Sequence, residues 1–590
     1  MKKFLGIVLF VLTVFAIWFY VKHQEAPNTT QEKVLLTANE AQIKGFDPMQ
    51  TTDVYATREI AKVYEGLLEY HYLKRPFELV ANLAENMPSV SADQLVYTFK
   101  LREGIQFHDN PCFPDGKGRE LTAHDFVYTF KRLADPKLQS LNFWLIDNKL
   151  QGLNEWRQRY TDAPVVDYTE DIPGVQAIDR YTLQFTLTKP CPQFLYVLAM
   201  VPCYAVAHEA VHYYGSEFMN HPVGTGPFTT PAFNPQDTKI VYHKNPTFRD
   251  KRFPNQAAEA YKHMLVYADK PLPFVDKIIT YICAEEQPRW LKFKKGQLDV
   301  IDISRDNIAL EVIRGNALVQ ALQQKGIQLF RVGEASTNYV TINFVHALFK
   351  NNPKLRQAMY MAFDAQGHNS LFYNNTGIPA QSIIPPGLAG YRGDYVNPYQ
   401  AYELKKAKQY LAEAGYPGGK GLPIITLDVG PTTAEKQKGE FFQKCMKKIG
   451  IQIKVIGNIF PELLKKIQTN ATMLHAIGWS ADYPDAENFL QIFYTFNQAS
   501  GAGSNFNDPA FNALYEKATA LPDSPARTVL YERLNEMVAE SVPCICIAHP
   551  SCIVLQQGWV KNYNWSNFHY GVEQYFDIDL EQKKVLSAKL

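Results

Sequence analysis

Twice in this chain a helix-length stripe runs into a glycine and then into an apolar strand. Pro288 to Lys295 reads as a helix, Gly296 caps it, and Asp299 to Ile303 reads as a strand; Phe441 to Lys448, Gly450 and Ile451 to Ile456 repeat that order. Units of this kind build α/β domains with mixed sheets. Other segments agree. Tyr181, Leu183, Phe185 and Leu187 alternate with Thr182, Gln184 and Thr186, which predicts a half-buried strand, as do Leu95, Tyr97, Phe99 and Leu101. Thr122-Ala123-His124-Asp125 predicts a capped helix with Phe126, Phe130 and Leu133 on one face. Leu404, Ala407, Leu411 and Ala414 form another stripe, stopped by Gly415 and Pro417.

A length of 590 residues exceeds one ordinary core and predicts two to four domains. A formal net charge of +1 gives a nucleic-acid role no electrostatic support. Lys2 and Lys3 precede an unbroken apolar run from Phe4 to Val21, whose 18 residues suffice to span a bilayer. The lysines place its start in the cytoplasm, with Trp18 and Tyr20 at the far interface. No small-x-small site follows the run, so residues 1–30 are expected to be an uncleaved membrane anchor and linker; a cleaved signal peptide is the alternative. Either way the remainder lies outside the cytoplasm. Eight cysteines permit disulfides there but are too few to be the framework.

The octet Gly478-Trp479-Ser480-Ala481-Asp482-Tyr483-Pro484-Asp485 follows Met473-Leu474-His475-Ala476-Ile477, which reads as a buried strand. A carboxylate at a strand end beside an aromatic wall suits a bound ammonium group, through charge, partial desolvation and cation–π attraction. The competing reading is a turn with a capping Asp.

With these residues come collinear landmarks. Gly45-Phe46-Asp47-Pro48 is followed by Tyr64-Glu65-Gly66-Leu67-Leu68, Leu121-Thr122-Ala123-His124-Asp125-Phe126-Val127, Pro222-Val223-Gly224-Thr225-Gly226-Pro227-Phe228, Gly296-Gln297-Leu298-Asp299-Val300 and Pro385-Pro386-Gly387. From about residue 34 to 565 the chain resembles the extracellular solute-binding proteins, family 5, the oligopeptide- and dipeptide-binding proteins of ABC transporters. The resemblance implies a bilobal, periplasmic-binding-protein-like α/β fold (type II) with an inserted extra domain. Lobe I would comprise residues 31–75, 222–305 and 545–590, the inserted domain 76–221, and lobe II 306–544. A peptide would bind between the lobes, which close by hinge motion, and pass to an ABC permease in the membrane. No cofactor or metal is implied, the protein would not be an enzyme, and it would act as a monomer. The family's amine-binding acid corresponds to Asp482. Asp53 and Val54, with Thr52, and Gly478, Trp479 and Ser480 align with segments that pair with peptide backbone; Tyr339, Thr341 and Asn343 align with another stretch of the cleft. The chain departs at Ala476, where some oligopeptide binders carry arginine, and at Thr341, where some members have an acid.

Other motifs compete. His208-Glu209-Ala210-Val211-His212 matches the HExxH helix of zinc proteases, but the extended pattern then wants histidine where Phe218 stands. A solvated helix face is expected instead. Cys544, Cys546, His549 and Cys552 do not have the spacing of a zinc knuckle, and buried thiols or one disulfide are expected. Asp482 and Asp485 lie in one short loop, which rarely supplies a glycosidase pair. Within the fold, a non-peptide ligand (haem, a nickel chelate or an opine-like molecule) is the alternative; an exported zinc protease is the alternative from another class.

Overall fold

The computed structural model describes residues 31–51, 53–303, 312–314, 317–500 and 504–590. The Phe4–Val21 run and Thr52 lie outside them. Among the described residues no helix is long and apolar enough to cross a membrane.

The local signals became the expected elements. Helices Glu286–Lys294 and Thr433–Lys447 are each followed by a glycine in the left-handed region, Gly296 at φ +67° and Gly450 at φ +94°, where a side chain would be strained. Strands Val300–Ile303 and Ile453–Gly457 then begin. In helix Ala123–Ala134 the Asp125 carboxylate accepts from the Thr122 N–H at 2.8 Å, and Phe126, Phe130 and Leu133 are buried.

One lobe is built on a four-stranded sheet in which Val34–Asn39 runs parallel to Lys277–Ile282, which pairs in turn with Lys239–Lys244 and Phe228–Thr229. Distant segments of chain meet here. Asp299 accepts from the Leu36 N–H and from Trp559 Nε1, both at 2.7 Å, and Lys583 lies 3.4 Å away. Residues from the start, middle and end of the described chain thus share one buried carboxylate. A second four-stranded sheet, Ser89–Val90, Val96–Lys100, Thr182–Thr186 and Val175–Ala177, lies wholly within residues 76–221. Phe185 packs edge-on against Phe99, Phe130 and Phe194 beneath it.

The other lobe carries a six-stranded sheet. Its spatial order is Ile378–Pro379, Cys544–His549, Ser336–Ile342, Leu474–Ser480, Ile425–Val429 and Ile453–Gly457. Cys544–His549 pairs with Ser336–Ile342, so the sheet continues beyond residue 544, the expected end of that lobe, to His549. Between the lobes lies a three-stranded sheet of Val300–Ile303, Ser551–Gln556 and Gln328–Gly333. The chain passes from it into the six-stranded sheet at Gly333–Ser336 and returns at His549–Ser551. The Glu334 N–H bonds the Pro550 carbonyl at 3.0 Å and ties the two crossings together. Away from these crossings, Tyr196, within residues 76–221, stacks on Tyr483 of the second lobe, centroids 5.7 Å apart and planes 2° apart.

Candidate functional site

Strand Leu474–Ser480 is paired along its whole length with Ser336–Ile342 on one side. On the other side it meets Ile425–Val429 only through Leu474 and His475. Among the described residues no strand covers its outer edge from Ala476 to Ser480. Those backbone groups form a short open edge of the kind to which an extended peptide adds.

Asp482 sits just beyond that edge. The buried Asn488 organises it: its side-chain N–H donates to Asp482 Oδ2 at 2.9 Å, and its oxygen accepts from Trp479 Nε1 at 2.9 Å and from the Asp482 N–H at 3.1 Å. Burial pushes the Asp482 carboxyl above its usual range, while the Asn488 amide pulls the other way. Among the described residues no cation pairs with it. The site therefore holds an under-compensated carboxylate beside an indole whose orientation is fixed.

Tyr570 of the first lobe is near enough to feel the charge of this carboxylate. Burial raises its phenol, Arg58 opposes, and the charge of Asp482 adds to the rise. Arg58 lies 5.3 Å over the Trp565 ring and stands on helix Val54–Ile60. Nearby a cavity of about 1410 Å³ opens between the lobes, bounded by Phe77, Tyr196, Tyr391, Pro484, Trp565 and Phe568.

Gly478, Trp479, Ser480 and Asp482 are thus brought together. Asp53 and Val54 are exposed on the other lobe, with Asp53 committed to capping the helix through the Ala56 N–H at 2.9 Å and Val54 its first residue. Of the residues expected along the cleft, Tyr339 borders a small cavity beside the open edge, and Thr341 and Asn343 lie deeper in the lobe. Their strand is central and bonded on both edges, so its backbone is unavailable to a ligand strand. Tyr339 and Thr341 are buried in the lobe's core, and Asn343 donates to the Thr472 carbonyl at 2.8 Å at the far end of the strand. Seven residues separate Asn343 from Ser336, the partner of Ser480, which is roughly 23 Å at strand rise. Asn488 was missed in sequence; the signal was a polar amide beside Phe489 and Leu490 in the short buried helix Glu487–Leu490.

The competing motifs are engaged structurally. His208 and His212 lie exposed on helix His208–Tyr214, the solvated face expected, while the half-buried Glu209 has its carboxylate forked onto Arg119, which also holds Asp125 at 2.6 Å. Burial would push the Glu209 carboxyl up, but the guanidinium outweighs it and holds the group below its usual range. A water-activating glutamate needs that carboxylate unclaimed. Asp485 turns from Asp482 to the buried Arg527, 3.0 Å away. Cys544 and Cys546 are buried thiols with sulfurs 4.0 Å apart, and His549 bonds Thr337 Oγ1 at 3.0 Å. Among the described residues no disulfide forms and no three His, Cys, Asp or Glu side chains are grouped to hold a metal ion.

Two lobes joined by crossing strands, with a cavity between them and an open strand edge ending at a desolvated carboxylate, define a bilobal ligand-binding protein. Residues 78–501 match the model of the bacterial extracellular solute-binding proteins, family 5 (Middle), and the chain belongs to that family. The dipeptide-binding protein of Escherichia coli is 26% identical over 552 residues, covering 91% of this chain and 92% of that protein. Heme-binding protein A of Haemophilus influenzae is also 26% identical, over 562 residues, with 91% of each chain covered. The periplasmic binding protein DppA of Helicobacter pylori, solved in complex with the peptide STSA, superposes with a TM-score of 0.68 at 25% identity, covering 93% of this chain and 98% of that one.

Proposed function

We propose that this protein is the peptide-binding subunit of an ABC importer, facing the periplasm and delivering short peptides to a membrane permease. The observation that carries the reading is Asp482: a desolvated carboxylate with a neutral partner, at the end of an open strand edge. The peptide's ammonium group supplies the missing cation, and its backbone pairs with Ala476–Ser480. Trp479 walls the amine, and Tyr570 closes over it from the other lobe. The relatives' dipeptide and peptide ligands support this reading. The Phe4–Val21 run supports export and retention at the membrane, with a monomer in residues 31–590.

Native mass spectrometry of the protein purified from the periplasmic side tests the reading. A bound mass that fragments as a peptide is expected. One observation favours a second reading, a non-peptide ligand: a heme-binding relative is as similar as a dipeptide-binding one. A bound mass that yields no amino-acid fragments would establish that reading in place of the first.

A further inference from the structure

Beside the open edge at Ala476–Gly478 a cavity of about 140 Å³ runs beneath the sheet, toward helices Ala365–Tyr373 and Thr433–Lys447. Cross-strand pairing sets Ala476 opposite Val340 and Gly478 opposite Asn338, so these four residues share the face that looks into it. Phe363 and Phe442 complete its apolar walls. The small residues of the edge strand leave the mouth open. A Cβ on Gly478 would stand 2.4 Å from Asn338 Oδ1, so the glycine makes room for that amide at the rim, and Ala476 lines the cavity beside it.

His368 lines the same cavity. It is 1% exposed, ringed by Phe363, Phe372, Tyr373 and Phe441, and neither ring nitrogen has a hydrogen-bond partner. Desolvation, with Lys438 adding to it, holds its pKa down at about 3, so the ring is neutral and offers one donor and one acceptor. Native folds rarely leave such a group unsatisfied, because the lost hydrogen bonds cost stability. Lys438 stands at the same cavity, its ammonium 5.0 Å over the Tyr373 ring.

A cavity of roughly this size, about 150 Å³ when engineered into an apolar core, admits a benzene ring. Here the walls are apolar and aromatic and one buried imidazole is unsatisfied. We infer that this cavity is a subsite for an aromatic side chain of the ligand, taking tyrosine before phenylalanine, with the phenol meeting His368. The inference rests on the peptide reading above. A peptide whose amine is held at Asp482 runs back along the strand toward Ala476. Successive side chains of an extended peptide point to opposite faces, so only one of the second and third residues reaches the cavity.

The test is calorimetry with Gly-Gly-Gly, Gly-Tyr-Gly and Gly-Gly-Tyr, and with the phenylalanine analogue of the better of the two. One tyrosine position, and not the other, should bind roughly 10- to 150-fold tighter than Gly-Gly-Gly, as expected for burying one large side chain. Tyrosine should exceed phenylalanine there by about 5-fold, the worth of one net hydrogen bond. His368→Phe should remove the tyrosine-over-phenylalanine ratio and keep the phenylalanine-over-glycine ratio; Ala476→Leu should collapse both. Three tripeptides that bind alike in the wild type, all weakened by Asp482→Asn, would overturn the subsite and leave the peptide reading standing. If none of the three binds, the peptide reading falls and the subsite falls with it.

Discussion

Asn488 donates its side-chain amide to Asp482 Oδ2 at 2.9 Å while accepting from Trp479 Nε1 at the same distance. One buried amide therefore sets both the charge and the aromatic wall of the candidate amine site. It also leaves the carboxylate with a neutral partner, so the charge stays available to a ligand.

Replacing Asn488 by Leu should loosen both groups. The Asp482 carboxylate then keeps its burial and loses its donor, at a cost of about 1–3 kcal/mol. Peptide affinity should fall about 10-fold, and the tryptophan emission that responds to ligand should broaden. Affinity within a factor of about two of wild type would show that the amide does not position the site.

Acidity supplies a second handle. In the empty protein Asp482 titrates above the usual carboxylate range because it is desolvated. A bound ammonium favours the charged form and pulls that pKa down, so binding is coupled to proton release. Affinity should be full above the raised pKa and fall as pH drops through it, by up to about tenfold per pH unit. Calorimetry across a pH series reads this directly, and Asp482→Asn should lose the dependence. Affinity that rises on acidification would mean that the neutral acid binds.

The class of fold was legible because its signals are local: the helix stripes, the stops at Gly296 and Gly450, and the capping pair Thr122–Asp125 need no distant partner to form. Strand order was not legible, because hydrogen-bond register depends on residues far apart in the chain. Tyr339 and Thr341 were expected in the cleft from the family resemblance alone, and nothing local marks their strand as paired on both edges. The Trp479–Asp482 unit was visible as chemistry, but Asn488, which orients it, was not. The Arg119 partner of Glu209 was hidden for the same reason, since it lies 90 residues away in sequence.

Arg119 joins the helix cap at Asp125 to Glu209, so it should matter more than the HExxH match. Arg119→Ala removes the partner of a nearly buried Asp125 carboxylate and should cost about 1–3 kcal/mol, discounted because the guanidinium is 30% exposed. Glu209→Ala leaves Arg119 on Asp125 and should cost about 1 kcal/mol or less. Urea denaturation measures both. Stoichiometric zinc, or peptide hydrolysis that disappears in Glu209→Ala, would restore the protease reading.

His108, His368 and His549 are buried and neutral, held by desolvation at about 4, about 3 and about 4. In the unfolded chain an imidazole titrates near 6.5. Just below that value the unfolded state takes up protons that the fold refuses, so stability falls as pH drops. Between pH 6.5 and 5 the loss should approach about 1.4 kcal/mol per pH unit for each histidine. Replacing His108 by Gln should make the slope shallower by about one proton. A flat stability profile over that window would mean that these rings are protonated in the fold.

The sharpest test concerns Asp482 and the ligand's amine together. If the two form a pair inside a closed cleft, Asp482→Asn should weaken peptide binding by roughly 2–5 kcal/mol, because the ammonium is left desolvated without its partner. That is about a 30- to several-thousand-fold loss. Fold stability should change little or rise slightly, since no cation among the described residues depends on this carboxylate and its burial is unfavourable in the empty protein. Acetylating the peptide's N-terminus should reproduce the loss in the wild type. In the mutant, acetylation should add little, because both changes break the same pair. The measurement is a double cycle by calorimetry with free and acetylated peptide on both proteins. Additive losses, or tight binding of the acetylated peptide to wild type, would show that Asp482 is a turn residue and that the open strand edge alone holds the ligand.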